Sequence, residues 1–345
     1  MTDARPAPAT GPHSTSGYID GLPLRVRNIT LLCILATTPI AAAVAAIDLG
    51  FFNGQARDFM AMEPRQIAYW TAILTIPHII ASLITFIDRE YVSHYRKELT
   101  RGTLIGLALG FGVPLLLGSG GLLIAMAFYT MYHNLQQQYG ISLMMMRQPP
   151  TRDYHVWRWL TIIPGGLVYT ILMTSFLPIV ADNWDYLMWG VGITLAIATL
   201  FGIRFLLTIR KNPAHTKIGL IYFIMNMSML YVGFGLIVLG YGLMAMLVPR
   251  IIHDLTAFWI YMVHDQNRNA DRVRNPVYAI PHKFGISPAW FCIPLSLGIS
   301  YVLMEVFGNL YLVSLIVVSL NFMHYYMEGH MWKRGTPHRQ YVPFV

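Results

Sequence analysis

Apolar residues gather along this chain in runs of roughly twenty, separated by short polar or glycine-rich breaks, the length a helix needs to cross the hydrocarbon of a bilayer. The pattern predicts ten such helices, at about 29–47, 66–87, 102–117, 121–146, 158–180, 186–207, 217–240, 242–264, 287–305 and 308–331. Several breaks are only a few residues long, such as "GSGG" at 118–121 and "DNWDY" at 182–186. Connections that short force neighbouring helices to run antiparallel. The fold class expected is therefore all-α, a polytopic membrane bundle of about ten transmembrane helices. It divides into a disordered tail at 1–28, rich in Pro, Ala, Ser and Gly, the transmembrane domain at 29–332, and a tail at 333–345.

Composition strengthens this reading. Of 345 residues, 55% are hydrophobic and 12% charged, about half the charged share of an ordinary soluble domain. Charge placement then predicts orientation. Of 24 Lys and Arg, 21 fall in the N-terminal stretch, in the loops after the second, fourth, sixth and eighth helices, or at the C-terminus. Only Arg57 and Arg65 fall on the opposite side. That asymmetry predicts cytosolic termini, in the inner (plasma) membrane if the cell is bacterial. The net charge of +8 is then a topology signal, and no nucleic-acid partner is expected. One cation breaks the tally. Arg250 sits about two turns into the eighth helix, where a charge needs a partner or a cavity, and it is read as a substrate anchor.

The chemistry lies in the histidines. Six of the twelve fall inside predicted helices: His78, His133, His253, His264, His324 and His330. All six are on even-numbered helices, which run in the same direction. Counting back from the first charge at the helix end places His78, His133, His253 and His324 within a depth band of about 9 Å, which helix tilt can absorb. His264 and His330 lie lower. His133 and Gln137 are four residues apart, as are His324 and Glu328, so each pair shares a helix face. His253 and His264, eleven apart, also share one face but lie about 16 Å from each other, which suggests a deep and a shallow ligand set.

Imidazole and carboxylate without thiolate suit iron, copper or zinc. The expectation is an intramembrane metal site with His78, His133, His253, His264, His324, Glu328 and Gln137 as candidate ligands. Glu328 and Asp254 are the candidate catalytic groups, and Ser82, Tyr132 and Asn134 are candidate supports for the ligands. Iron, non-haem, in a mononuclear or dinuclear centre, is expected ahead of copper or zinc. The function expected is an O2-dependent oxygenase or oxidase of a lipid or isoprenoid substrate, with membrane lipids around it and a redox partner allowed for. The alternatives are a proton-coupled transporter using the same His, Arg and Glu residues and a haem-b redox subunit held by two opposed imidazoles.

Two stretches carry a resemblance. "YHNLQQQYG" (132–140) resembles a His-x3-Gln-x-Tyr-Gly segment, and "HYYMEGHMWK" (324–333) a His-x-Tyr-x-Asp/Glu-Gly-x2-Trp-Lys segment, of multi-spanning bacterial membrane proteins. This resemblance implies architecture and no particular reaction. The chain is also loosely similar to the integral-membrane carotene-cleaving oxygenases related to bacteriorhodopsin, which hold iron with histidines inside their spans. It departs from them in having no His-x3-His pair within a span. What that similarity implies is a class, iron with oxygen acting on a hydrophobic molecule.

Overall fold

The computed structural model describes residues 19, 21–60, 70–147, 149–212, 215–307 and 311–345. These residues are helical almost throughout; one isolated bridge, Val26 to Phe344, is the only β pairing among them. The principal helices are α1 (Asn28–Phe51), α2 (Ile73–Ile87), α3 (Arg96–Leu107), α4 (Val113–Met146), α5 (Arg152–Met173), α6 (Trp184–Ile209), α7 (Lys217–Val238), α8 (Gly242–Arg268), α9 (Pro288–Val306) and α10 (Tyr311–Met331).

Seven helical segments among the described residues are long and apolar enough to cross a membrane, with Arg96–Met146 counted as one run. The protein is an integral membrane protein. The N-terminal part of the second expected span and the first residues of the tenth, 308–310, lie outside the described residues, as do residues 1–18 and 20 of the expected N-terminal tail. The "GSGG" connection reduces to one break within α4, at Gly118, whose φ of 70° and ψ of −178° end the helical path; positive φ is costly for any residue with a Cβ.

Helix α8 is the axis of the molecule. In its most apolar window 78% of residues are buried, the largest share of the seven, because α1, α2, α4, α7 and α9 all pack on it. The outer helices instead turn large apolar side chains outward, among them Ile40, Trp189, Ile193, Leu200 and Tyr301. That is the inverse of a soluble surface and fits a lipid-facing wall. Helix α10 packs against α3 and α2.

Two departures from α-helical geometry have a common cause. A π-helical turn at Thr71–Thr75 precedes Pro77, and another at Ala108–Gly112 precedes Pro114. A proline has no N–H to give the carbonyl four residues back, and a wider turn accommodates the loss. The first of these sets the rotation of α2 just before His78.

The segment around Leu24 and the C-terminal segment close one end of the bundle. Asn267 of α8 accepts from the Leu24 amide (2.9 Å) and donates to the Tyr341 carbonyl (2.7 Å). Arg268 bonds Asp88 at 2.9 Å and Glu90 at 2.5 Å and lies 4.5 Å over the Tyr91 ring. His338 is fully buried, stacked on Tyr91 (3.9 Å between centroids) and on His264 (4.8 Å). Burial, followed by the neighbouring His264, Arg268 and His94, holds its imidazole well below the usual histidine range.

His338 is therefore neutral when packed, whereas a released segment takes up a proton below about pH 6.5. The released form binds more protons, so packing is fully stabilised above that value and weakens as pH falls. Amide exchange in residues 336–345 is expected to be slow at pH 7.5 and to accelerate at pH 5.5, and His338→Gln is expected to remove most of the pH dependence. Protection that stays constant across this range in the native protein would contradict the assignment.

Candidate metal centre

Four helices deliver the site. His78 comes from α2, His133 from α4, His253 and Asp254 from α8, and His324 and Glu328 from α10. All six residues are at most 6% exposed. Adjacent residues on a helix point about 100° apart, so α8 sends His253 toward α4 and Asp254 toward α2. On α10 the four-residue spacing keeps His324 and Glu328 on one face.

The four imidazoles close a ring. Centroid distances are 4.6 Å for His78–His324, 4.9 Å for His78–His253, 4.8 Å for His133–His253 and 5.2 Å for His133–His324. Every contact is edge to face, with interplanar angles from 70° to 84°.

Neighbouring groups fix the tautomers. His253 Nδ1 lies 3.0 Å from Gln137 Oε1, and that oxygen also accepts from Gln138. An amide oxygen only accepts, so the His253 proton is on Nδ1 and its Nε2 carries a lone pair. The Ser82 hydroxyl donates to the Ile79 carbonyl at 2.7 Å and accepts from His324 Nδ1 at 2.7 Å. His324 Nε2 is then a lone pair as well.

Against that lone pair, at 2.8 Å, stands His78 Nε2. The other nitrogen of His78 is 2.8 Å from Asp254 Oδ1. A neutral His78 that donates from Nε2 to His324 leaves its Nδ1 buried beside the Asp254 carboxylate without a hydrogen-bond partner, and the opposite tautomer sets two lone pairs against each other at 2.8 Å. Protonating His78 fully would relieve only this quarrel. His133 Nε2 and His253 Nε2 would still be buried without a hydrogen-bond partner, at a cost of about 1–3 kcal/mol each.

A cation answers all of it. His133 Nε2 is 3.1 Å from Glu328 Oε2, yet the two are not aligned as a hydrogen bond. Two atoms bound to the same ion at about 2.1 Å, at right angles, stand about 3 Å apart and side by side. The ligand atoms of His78, His133, His324 and Glu328 all lie within 4.8 Å of one another and can hold a metal ion. The donor set is nitrogen and oxygen with no sulfur, which suits iron, zinc or copper; the ion's identity is a separate matter. A haem does not fit. Its two axial nitrogens must stand about 4 Å apart with a porphyrin between them, and His78 and His324 Nε2 are 2.8 Å apart.

The remaining residues singled out in the sequence fall into place around this centre. Gln137 reaches it only through His253 Nδ1 and is a positioning group, in contrast to the ligand role expected for it. His264 is not brought to the centre: its Nε2 meets the Tyr91 hydroxyl at 2.9 Å and its Nδ1 meets Asp265 at 2.8 Å, so no nitrogen is left to coordinate. The shallow ligand set expected from its spacing therefore does not form; hydrogen bonds and ring stacking occupy that layer instead. Asp254 lies against His78 as described. Arg250, one turn before Asp254, is 5% exposed and donates to Thr75. Of the supports expected, Ser82 holds His324, Tyr132 stacks on Trp159, and Asn134 is buried.

Sequence reasoning missed two tyrosines. Tyr261 donates to Glu328 Oε1, and Tyr325 stacks on His133 at 4.3 Å with its hydroxyl held by Thr130 at 2.8 Å. Tyr261 follows Asp254 by seven residues, two turns along the same face of α8, and that spacing was the available signal. Comparison of the chain with protein-family models, curated proteins and solved structures returned no match.

Proposed function

We infer that this protein is an integral-membrane metalloenzyme, a non-haem iron, O2-dependent oxidase or oxygenase of a lipid-soluble substrate. The observation that carries the reading is the pair of nitrogen lone pairs on His253 and His324, fixed by Gln137 and Ser82, with His78 Nε2 2.8 Å from His324 Nε2 and His133 Nε2 buried without a hydrogen-bond partner. A buried site built this way is stable only around positive charge. Three imidazoles and one carboxylate leave coordination positions free on an ion that takes five or six ligands, the arrangement iron uses to activate oxygen.

When bound, the metal would supply the redox chemistry. The chain's own residues do the rest. Tyr261 holds one Glu328 oxygen by donating its phenolic proton, leaving the other for His133 and the ion. Ser82 and Gln137 lock ring orientation. A narrow apolar crevice of about 30 Å³, lined by Met131, Tyr169, Leu172, Met229, Leu230 and Pro249 among others, lies between α4, α5, α7 and α8. A hydrocarbon chain entering here from lipid would have to part these helices, since ligand pockets are about ten times larger; Pro249 places the crevice next to Arg250, which would hold an acidic end of such a molecule. The reading includes ten crossings with both termini in the cytosol, in a bacterial plasma membrane, and a cytosolic electron donor.

The deciding experiment is elemental analysis of protein purified from iron-supplemented cells, paired with oxygen uptake on total lipid extract. Stoichiometric iron and lipid-dependent uptake are expected. Folded protein without any transition metal would remove the metal centre, and zinc with no oxygen uptake would remove the oxidative chemistry.

A further inference from the structure

His78 belongs to two ligand sets. Its ligand atom lies within 4.8 Å of those of His133, His324 and Glu328, and the same holds for a second set, His78, His253 and Asp254. The two nitrogens of an imidazole point away from each other, so a single ion takes only one of them. Nε2 faces His324 and Nδ1 faces Asp254.

With one ion on Nε2, the ordinary arrangement would have Nδ1–H pointing straight at the carboxylate, as in carboxylate–histidine–metal triads. That is not what the geometry holds. The 2.8 Å contact between His78 Nδ1 and Asp254 Oδ1 lies off the N–H direction and makes no hydrogen bond. Nitrogen and oxygen sit side by side, the same relation as His133 and Glu328 in the first set. His253 Nε2, its tautomer fixed by Gln137, is 3.9 Å from the same Asp254 oxygen and has no hydrogen-bond partner. Two atoms 3.9 Å apart can both bind one ion, because bonds of about 2.1 Å allow a span up to about 4.2 Å. The second Asp254 oxygen is also buried without a hydrogen bond.

We propose that His78, His253 and Asp254 form a second site for a divalent transition metal, joined to the first through His78 as a bridging imidazolate. The proposal rests on the metal-centre reading above and extends it from one ion to two. Loading the second ion displaces the remaining His78 ring proton, which leaves to solvent. The ions would stand roughly 6 Å apart, two metal–nitrogen bonds plus the width of the ring. That is wider than the 3.5–4 Å of a hydrolytic two-metal clamp, and it suits two ions with separate duties.

The test uses full-length protein in detergent, stripped of metal, titrated with Cu(II) and passed over chelating resin before analysis. Two retained equivalents are expected for the native chain and one each for Asp254→Asn and His253→Gln. The low-temperature EPR signal of the doubly loaded native protein should fall well below two spins per chain, because an imidazolate couples the two ions, and this readout needs no variant to fold. Asp254→Asn should restore a full one-spin signal. One equivalent in the native chain, or two uncoupled equivalents, would overturn the bridge while leaving the first site standing. No retained copper would sink the first site and the second together.

Discussion

His324→Ala is expected to empty the site of His78, His133, His324 and Glu328 while the helices remain folded. Removing an outer support of a metal ligand already costs about 10–100-fold in affinity, and His324 is expected to exceed that as a direct ligand whose Nε2 stands 2.8 Å from His78 Nε2. The contrast comes from Ser82→Ala, which leaves the imidazole in place but frees its Nδ1, now held at 2.7 Å. That variant should keep metal at saturating concentration with affinity reduced about 10–100-fold. Metal content after dialysis, with circular dichroism as the control for folding, separates the two. Equal retention by both variants would mean that the ring of imidazoles is a hydrogen-bonded helix junction, as histidines between membrane helices can be.

The histidines themselves were legible because depth along a helix follows from counting residues. His78 and His324, placed by that count at nearly equal depth, meet at 2.8 Å, and His133 and His253, also equal by count, are 4.8 Å apart between centroids. The offset between the two pairs, about 7 Å by count, does not keep them apart: His133 and His324 pack at 5.2 Å, within what tilted helices allow. Rotation about each helix axis was not legible. His264 shares a face of α8 with His253, but Tyr91 and Asp265 claim both its nitrogens. The partner on Tyr91 comes from 173 residues away, a distance over which periodicity says nothing. The same holds for Ser82 and His324, 242 residues apart. Spacing selects candidates for a face; packing between distant segments decides which nitrogen is left free.

Gly106→Val is expected to damage the centre without touching it. In "RGTLIGLALG" the glycines at 102, 106 and 110 repeat every four residues, a row of small residues that lets two membrane helices approach closely. Helix α10, which carries His324 and Glu328, lies on that row. A Cβ at Gly106 would collide with the Ser319 carbonyl oxygen and come within 3.2 Å of Met323 Cβ; at Gly110 it would strike the Ser319 side chain. The obstacle at Gly106 is backbone, which no rotamer change relieves, so α10 must move away from α3. Overpacking of this kind costs about 1–3 kcal/mol, and the displaced helix takes two metal ligands with it. Lower thermal stability together with lost metal is the expected result. Gly140→Ala, where a new Cβ meets nothing within 4 Å, should leave both unchanged or raise stability slightly, since alanine favours the helix. A Gly106→Val protein with full metal content would show that the four-helix centre tolerates movement of α10, and the close approach of α3 would then serve packing alone.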